Sequence, residues 1–126
     1  MRFLSSRTHG VLDYLTGILF LASPWLFGFH GGGLAQTTML VAGAVLLLTA
    51  LLTDYELGVA RLLPLRLHLG LDLLAGLALA ASPWVLGFTA EAWTPHLVLG
   101  AFEVLASLAT HTVPDRLRAQ EAAHHA

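Results

Sequence analysis

Hydrophobic residues in this chain run together in four long stretches, at residues 8–29, 35–53, 67–88 and 95–112. Each approaches the roughly 20 residues with which a helix crosses the hydrocarbon core of a bilayer. The pattern predicts an all-α chain, a four-helix transmembrane bundle. Short connections marked by Gly or Pro, Phe29 to Leu34 and Thr89 to Thr94, follow the first and third stretches, so each pair of spans folds as a tight antiparallel hairpin. The first stretch has traits of a signal peptide, with Arg2 and Arg7 ahead of it and small residues at Ala22 and Ser23. Asp13 within it and its repetition at 67–88 identify it instead as a retained helix.

Charge placement orients the spans. All six basic residues are Arg, and they fall before the first span (Arg2, Arg7), between the second and third (Arg61, Arg66) and after the fourth (Arg116, Arg118). By the positive-inside rule these segments are cytoplasmic, both termini included. The loops at Gly31-Gly32-Gly33 and Glu91-Ala92-Trp93 then face outward. The link from Asp54 to Arg66 is amphipathic and contains Pro64, which suits it to the inner membrane surface.

Composition agrees: 56% of the 126 residues are hydrophobic and 11% charged, too apolar for a small water-soluble domain. A net charge of −2 without a basic run argues against a nucleic-acid partner. Cysteine is absent, which excludes disulfides, thiolate metal sites, iron–sulfur clusters and cysteine nucleophiles. Metal chemistry would rest on His, Asp and Glu.

The chain is also a duplication. Residues 7–29 align without gaps on 66–88, and 12 of the 23 positions are identical. Arg7 matches Arg66, His9 matches His68, Asp13 matches Asp72 and Gly17 matches Gly76; further on, Ser23-Pro24-Trp25 matches Ser82-Pro83-Trp84 and Gly28-Phe29 matches Gly87-Phe88. The second helices align more weakly, through Gly43-Ala44 and Gly100-Ala101. One membrane domain thus divides into repeat one (7–53), an interfacial link (54–65), repeat two (66–112) and a cytoplasmic tail (113–126). Both copies run from inside to outside first, so they form a parallel repeat about an axis along the membrane normal.

With a Ser-Pro-Trp motif at the outer end of the first helix of each hairpin, the chain resembles the SPW-repeat family of bacterial and archaeal membrane proteins over nearly its whole length. The resemblance implies architecture and membrane location, and no activity. The motif itself reads as structural. Proline removes the hydrogen bond to the carbonyl of Phe20 or Leu79 and so bends the helix, and Ser23 or Ser82 can satisfy part of the freed backbone. Trp25 and Trp84 sit at headgroup depth, and Gly28 or Gly87 ends the helix.

At about 100° per residue, His9, Asp13, Thr16, Phe20 and Ser23 share one sector of the first helix, as His68, Asp72, Ala75, Leu79 and Ser82 do on the third. Gly17 and Gly76 border that face, as expected where helices pack in lipid. The i, i+4 spacing sets each His one turn from its Asp. In the structural reading each buried Asp is satisfied by His, by Arg7 or Arg66 snorkelling to the interface, or by backbone donors of the link. In the functional reading the two pairs face each other across the axis and hold a metal ion, a haem or a proton. A contact between subunits is the third reading.

The fourth helix carries a stripe of its own, His96, Gly100, Glu103, Ser107 and Thr110, where the second has Met39, Gly43, Leu46, Ala50 and Thr53. Glu103 falls near mid-membrane, where a carboxyl is expected at a helix–helix or subunit contact, with a proton-relay role as the alternative. Asp54, Glu56, His111, His124 and His125 belong to a solvated inner surface. Loops this short leave no room for a catalytic domain, and no triad or phosphate loop is present. The expected function is a non-enzymatic membrane module, a self-associating scaffold or an accessory subunit of a membrane complex whose surroundings are lipid and partner helices. The alternative is a metal- or haem-binding protein using His9, Asp13, His68 and Asp72, in electron or proton transfer.

Overall fold

A computed structural model describes the backbone of residues 2–125 and the side chains of residues 2–124. The described residues are helical: α1 (Ser6–Leu26), α2 (Leu34–Leu52), α3 (Leu65–Val85), α4 (Thr94–Ala109) and α5 (Asp115–His125), with no strand among them beyond two isolated β-bridges. α1 packs against α2 and α3 against α4 over most of their lengths, and contacts between the two hairpins are sparser.

Glycine decides how closely each hairpin closes. A Cβ on Gly100 would lie 2.6 Å from the Gly76 carbonyl oxygen and from the Ala80 nitrogen, and one on Gly43 would lie 3.1 Å from the Gly17 carbonyl oxygen. The backbones touch where the side chains vanish, which is how helices associate when lipid removes the hydrophobic drive.

The Ser-Pro-Trp motif, at the end expected to face outward, is a complete helix stop. Ser23 Oγ donates to the Phe20 carbonyl (2.9 Å) and Ser82 Oγ to that of Leu79 (2.7 Å), the two acceptors that Pro24 and Pro83 leave without a backbone donor. Gly28 and Gly87 then take φ of 75°, which only glycine adopts without strain. This turns the chain so that Phe29 N–H reaches the Pro24 carbonyl (2.8 Å) and Phe88 N–H that of Pro83 (2.9 Å). These are the 6→1 bonds of a Schellman cap, and the phenyl rings that follow are buried.

The opposite ends of the helices, expected to face inward, close crosswise. Leu4, just before α1, bridges to Thr110 at the end of α4, and Leu63, just before α3, bridges to Thr53 at the end of α2. The first bridge ends α4 early: expected to run to 112, the helix stops at Ala109 and spans about 24 Å at 1.5 Å per residue. α2 and α3 are the helices long and apolar enough to cross a membrane. α1 equals α3 in length and has the same Arg, His and Asp in its first half, but it carries Ser6, Thr8, Gly10 and Tyr14 where α3 has Leu65, Leu67, Leu69 and Leu73.

Two segments at this end acquire a definite structure. Residues 54–64 form turns and extended backbone, with Tyr55 buried and Val59 and Leu62 exposed. The tail, expected only to be cytoplasmic, contains α5 and docks: Asp115 Oδ1 and Oδ2 accept from the Ser6 and Arg7 N–H groups (3.2 and 3.3 Å), a negative charge at the amino end of α1.

Candidate functional site

His9 and Asp13 on α1 meet His68 and Asp72 on α3 at the centre of the inner half, all four side chains buried. His9 Nε2 lies 3.0 Å from Asp13 Oδ1 and 2.9 Å from Asp72 Oδ2. His68 Nε2 lies 2.8 Å from Asp13 Oδ2 and 3.0 Å from Asp72 Oδ2. Each imidazole therefore touches the carboxylate of its own helix and that of the other repeat. The rings stand edge to face, 5.6 Å apart at 90°.

The far side of each ring fixes its tautomer. Thr110 Oγ1 donates its one proton to the Ala106 carbonyl (2.6 Å), so at 2.8 Å it accepts from His9 Nδ1–H. Thr53 Oγ1 likewise donates to the Thr49 carbonyl and accepts from His68 Nδ1–H at 2.7 Å. Both Nδ1 atoms carry hydrogen, and both Nε2 atoms point at the carboxylates. Contacts of this length between Nε2 and carboxylate oxygen require a proton or a cation between them. The bonds again cross the repeats, since Thr110 closes repeat two and holds the histidine of repeat one.

Tyr55 of the link adds a donor, its hydroxyl 3.2 Å from Asp13 Oδ2. Burial, and then the charge of Asp13, push the phenol above its usual range, so it remains protonated. The partners of the two aspartates are thus histidines and a tyrosine. Neither Arg7 nor Arg66, which the sequence offered as partners, bonds to them; Arg66 instead borders clefts at the inner surface. The two Nε2 atoms share one acceptor oxygen, Asp72 Oδ2, and approach different oxygens of Asp13.

Glu103 is buried, 4% exposed, and lines a cavity of about 30 Å³ together with Asp72, Phe20, Thr49 and Gly76. The cavity is large enough for water. Ser107, on the same face of α4, donates Oγ to the Val104 carbonyl (2.9 Å). Arg2 Nη1 caps the end of that helix through the Ser107 and Thr110 carbonyls (2.9 and 2.7 Å).

His96 belongs to a separate outer site. Its Nε2 donates to the Ala35 carbonyl (2.9 Å), and its ring lies between Phe29 and Phe88, with centroids 5.1 and 4.9 Å away. The Glu91 carboxylate accepts from the Ala35 N–H (3.1 Å), so the second hairpin holds the first turn of α2 through both backbone groups of one residue. Trp25 and Trp84 are more than half exposed on the outer rim, Trp25 stacked on His30 and Trp84 tilted against Trp93.

The inner surface is less solvated than expected. Asp54 pairs with Arg116 at 3.0 Å, and Glu56 accepts from Ser6 Oγ (2.7 Å) and from the Arg116 N–H (3.2 Å). The side chain of His125, placed on this surface with His111 and His124, lies outside the described residues, as does Ala126. Sequence reasoning passes over Thr53, Thr110 and Tyr55 as partners of the cluster. The two threonines are nonetheless marked in it, because they occupy equivalent positions at the ends of both second helices.

No curated protein and no solved structure matches this chain at a significant level. The model of the SPW repeat domain matches residues 7–110, which take in both hairpins, both Ser-Pro-Trp caps and the His–Asp cluster, and the chain belongs to the SPW repeat family.

Proposed function

We propose that this chain is a non-enzymatic integral membrane protein, a four-helix transmembrane bundle of the bacterial or archaeal inner membrane with both termini cytoplasmic. It serves as a self-associating scaffold or as an accessory subunit of a membrane complex. One observation carries the membrane reading: the polarity of the fold is inverted. His9, Asp13, Ser23, His68, Asp72, Ser82, His96 and Glu103 are buried, while Leu15, Ile18, Val41, Val45, Leu74 and Leu105 are exposed. Water would reverse that distribution, and lipid supports it. A thickness shorter than the bilayer, as in α4, is accommodated by local thinning or by flanking residues.

The scaffold reading draws on how the reactive side chains are used. The imidazoles and carboxylates of the cluster bond to each other across the repeats, and the motif serines bond to carbonyls of their own helices. The cluster is spent on joining two hairpins into one rigid unit, whose outer face is left to lipid and partner helices.

Reporters fused after Ala126 or inserted near Arg61 should read cytoplasmic, and one inserted at Gly31–Gly33 should read outside. An outward carboxy terminus overturns the four-span reading. Native mass spectrometry from membranes should show several copies or a co-purifying partner. A strictly monomeric chain without a partner overturns the scaffold role.

A further inference from the structure

We infer that His9, Asp13, His68 and Asp72 form a binding site for one divalent first-row transition ion, with Zn²⁺ the best match. The site goes beyond the scaffold role, which would stand without it.

The donor set comes first. Two imidazole nitrogens and two carboxylates from two helices present one ligand atom each, all within 4.8 Å of one another. A tetrahedral ion with bonds of about 2.0–2.1 Å needs edges of about 3.3–3.4 Å. That value lies between the shortest contact of the cluster, 2.8 Å, and its widest spacing of 4.8 Å. To admit the ion, each aspartate offers one oxygen, the short N···O contacts open by a few tenths of an ångström and the widest spacing closes by about 1.4 Å. With no thiolate available, nitrogen and oxygen donors in this number suit Zn²⁺, Mn²⁺ or Fe²⁺, and four-coordination favours Zn²⁺.

The surroundings of the ligands are the second argument. A histidine that binds through Nε2 presents that atom reliably when Nδ1–H is held by an acceptor, and here the acceptor is a threonine whose own proton is committed to a helix carbonyl. The arrangement occurs twice, once per repeat. Tyr55 supplies the corresponding support for Asp13. Charge is the third argument. Two carboxylates buried in lipid need two positive charges, and one divalent ion between neutral imidazoles brings the sum to zero. The four close N···O contacts can share at most two N–H protons, whereas an ion satisfies all four ligand atoms at once. A cavity large enough for water and bordered by Glu103 touches the cluster at Asp72.

The test uses the full chain purified in lipid nanodiscs, stripped with a chelator and titrated with Zn²⁺ or with Co²⁺ as a spectroscopic probe. Elemental analysis should find one ion per chain, and Co²⁺ should give the intense visible bands of a four-coordinate site. His68→Gln combined with Asp72→Asn should abolish both signals. Thr53→Val and Thr110→Val keep every ligand and should each weaken Zn²⁺ binding by about 10- to 100-fold, and these variants carry the test if the ligand variants do not fold. Failure of the wild-type chain to retain Zn²⁺ at micromolar free ion overturns the inference. So does undiminished binding in the folded His68→Gln/Asp72→Asn variant, or unchanged affinity in both threonine variants.

Discussion

Thr110, the residue that follows the last turn of α4, accepts a 2.8 Å hydrogen bond from Nδ1 of His9, 101 positions earlier in the chain. Thr53 does the same for His68 across 15 positions. Each hydroxyl ends one hairpin and orients the histidine of the other. Replacing either with valine leaves a buried Nδ1–H without an acceptor, at a cost of about 1–3 kcal/mol. Thermal unfolding in detergent should show the loss for Thr110→Val and for Thr53→Val, with most of it restored by serine. Equal melting of valine variant and parent would mean that the hydroxyls do not hold the rings.

The crosswise geometry predicts which pairs are energetically coupled. His68 touches Asp13 at 2.8 Å and Asp72 at 3.0 Å, so its link to the other repeat is at least as close as the one within its own helix. Asp13→Leu alone should destabilise by about 3–5 kcal/mol, since it leaves the remaining charges unbalanced. A double-mutant cycle between Asp13 and His68 should give a coupling as large as that between His68 and Asp72. Coupling confined to residues of one helix would refute the idea that the cluster joins the repeats.

Gly100 should not tolerate even alanine. Its added methyl would meet two backbone atoms at 2.6 Å, and backbone on a packed helix cannot move aside as a side chain can. A loss of about 1–3 kcal/mol is expected from such overpacking. Gly31, where an added methyl would have nothing within 4 Å, is the control, and Gly31→Ala should be silent in the same melting assay.

Glu103 shares its cavity with Asp72. Glu103→Gln keeps a donor and an acceptor and should leave assembly intact, while Glu103→Leu should weaken it by about 1–2 kcal/mol, read as a shift in the detergent concentration that dissociates the complex. Should Gln instead abolish a measurable proton flux across vesicles with assembly unchanged, Glu103 titrates in function and the purely structural account of it fails.

Much of this is legible in the sequence because duplication repeats the signal. Ser-Pro-Trp followed by Gly-Phe recurs 59 positions on, as does His with Asp at i, i+4, and helical periodicity alone puts those pairs on a buried face. What the sequence does not show is which helix each side chain meets. Nothing local tells Asp13 that its closest histidine is His68 rather than His9, because that depends on how two hairpins dock. The short α4 escapes for a similar reason: no Gly or Pro stops the helix before Pro114, and the chain leaves it at Thr110, where it pairs with Leu4. Asp115 looks like an ordinary tail residue in the sequence, and only the return of the tail to the start of α1 gives it a role.

The crossed bonds also say something about ancestry. A lone hairpin of this type would keep the contact between its own histidine and aspartate, but it would find a second carboxylate and the threonine that holds Nδ1 only in a second copy turned by a half rotation. Fusion of two such copies into one polypeptide makes that rotation permanent and frees each half to diverge. The inner half has kept the original equality of the two partners. The outer half has not, for His96, Glu91 and Glu103 belong to the second repeat alone, where the first has Met39 and Leu46 in the helical positions. The two halves of the duplicated fold are thereby distinguishable, one carrying buried His96 and Glu103 where the other has Met39 and Leu46.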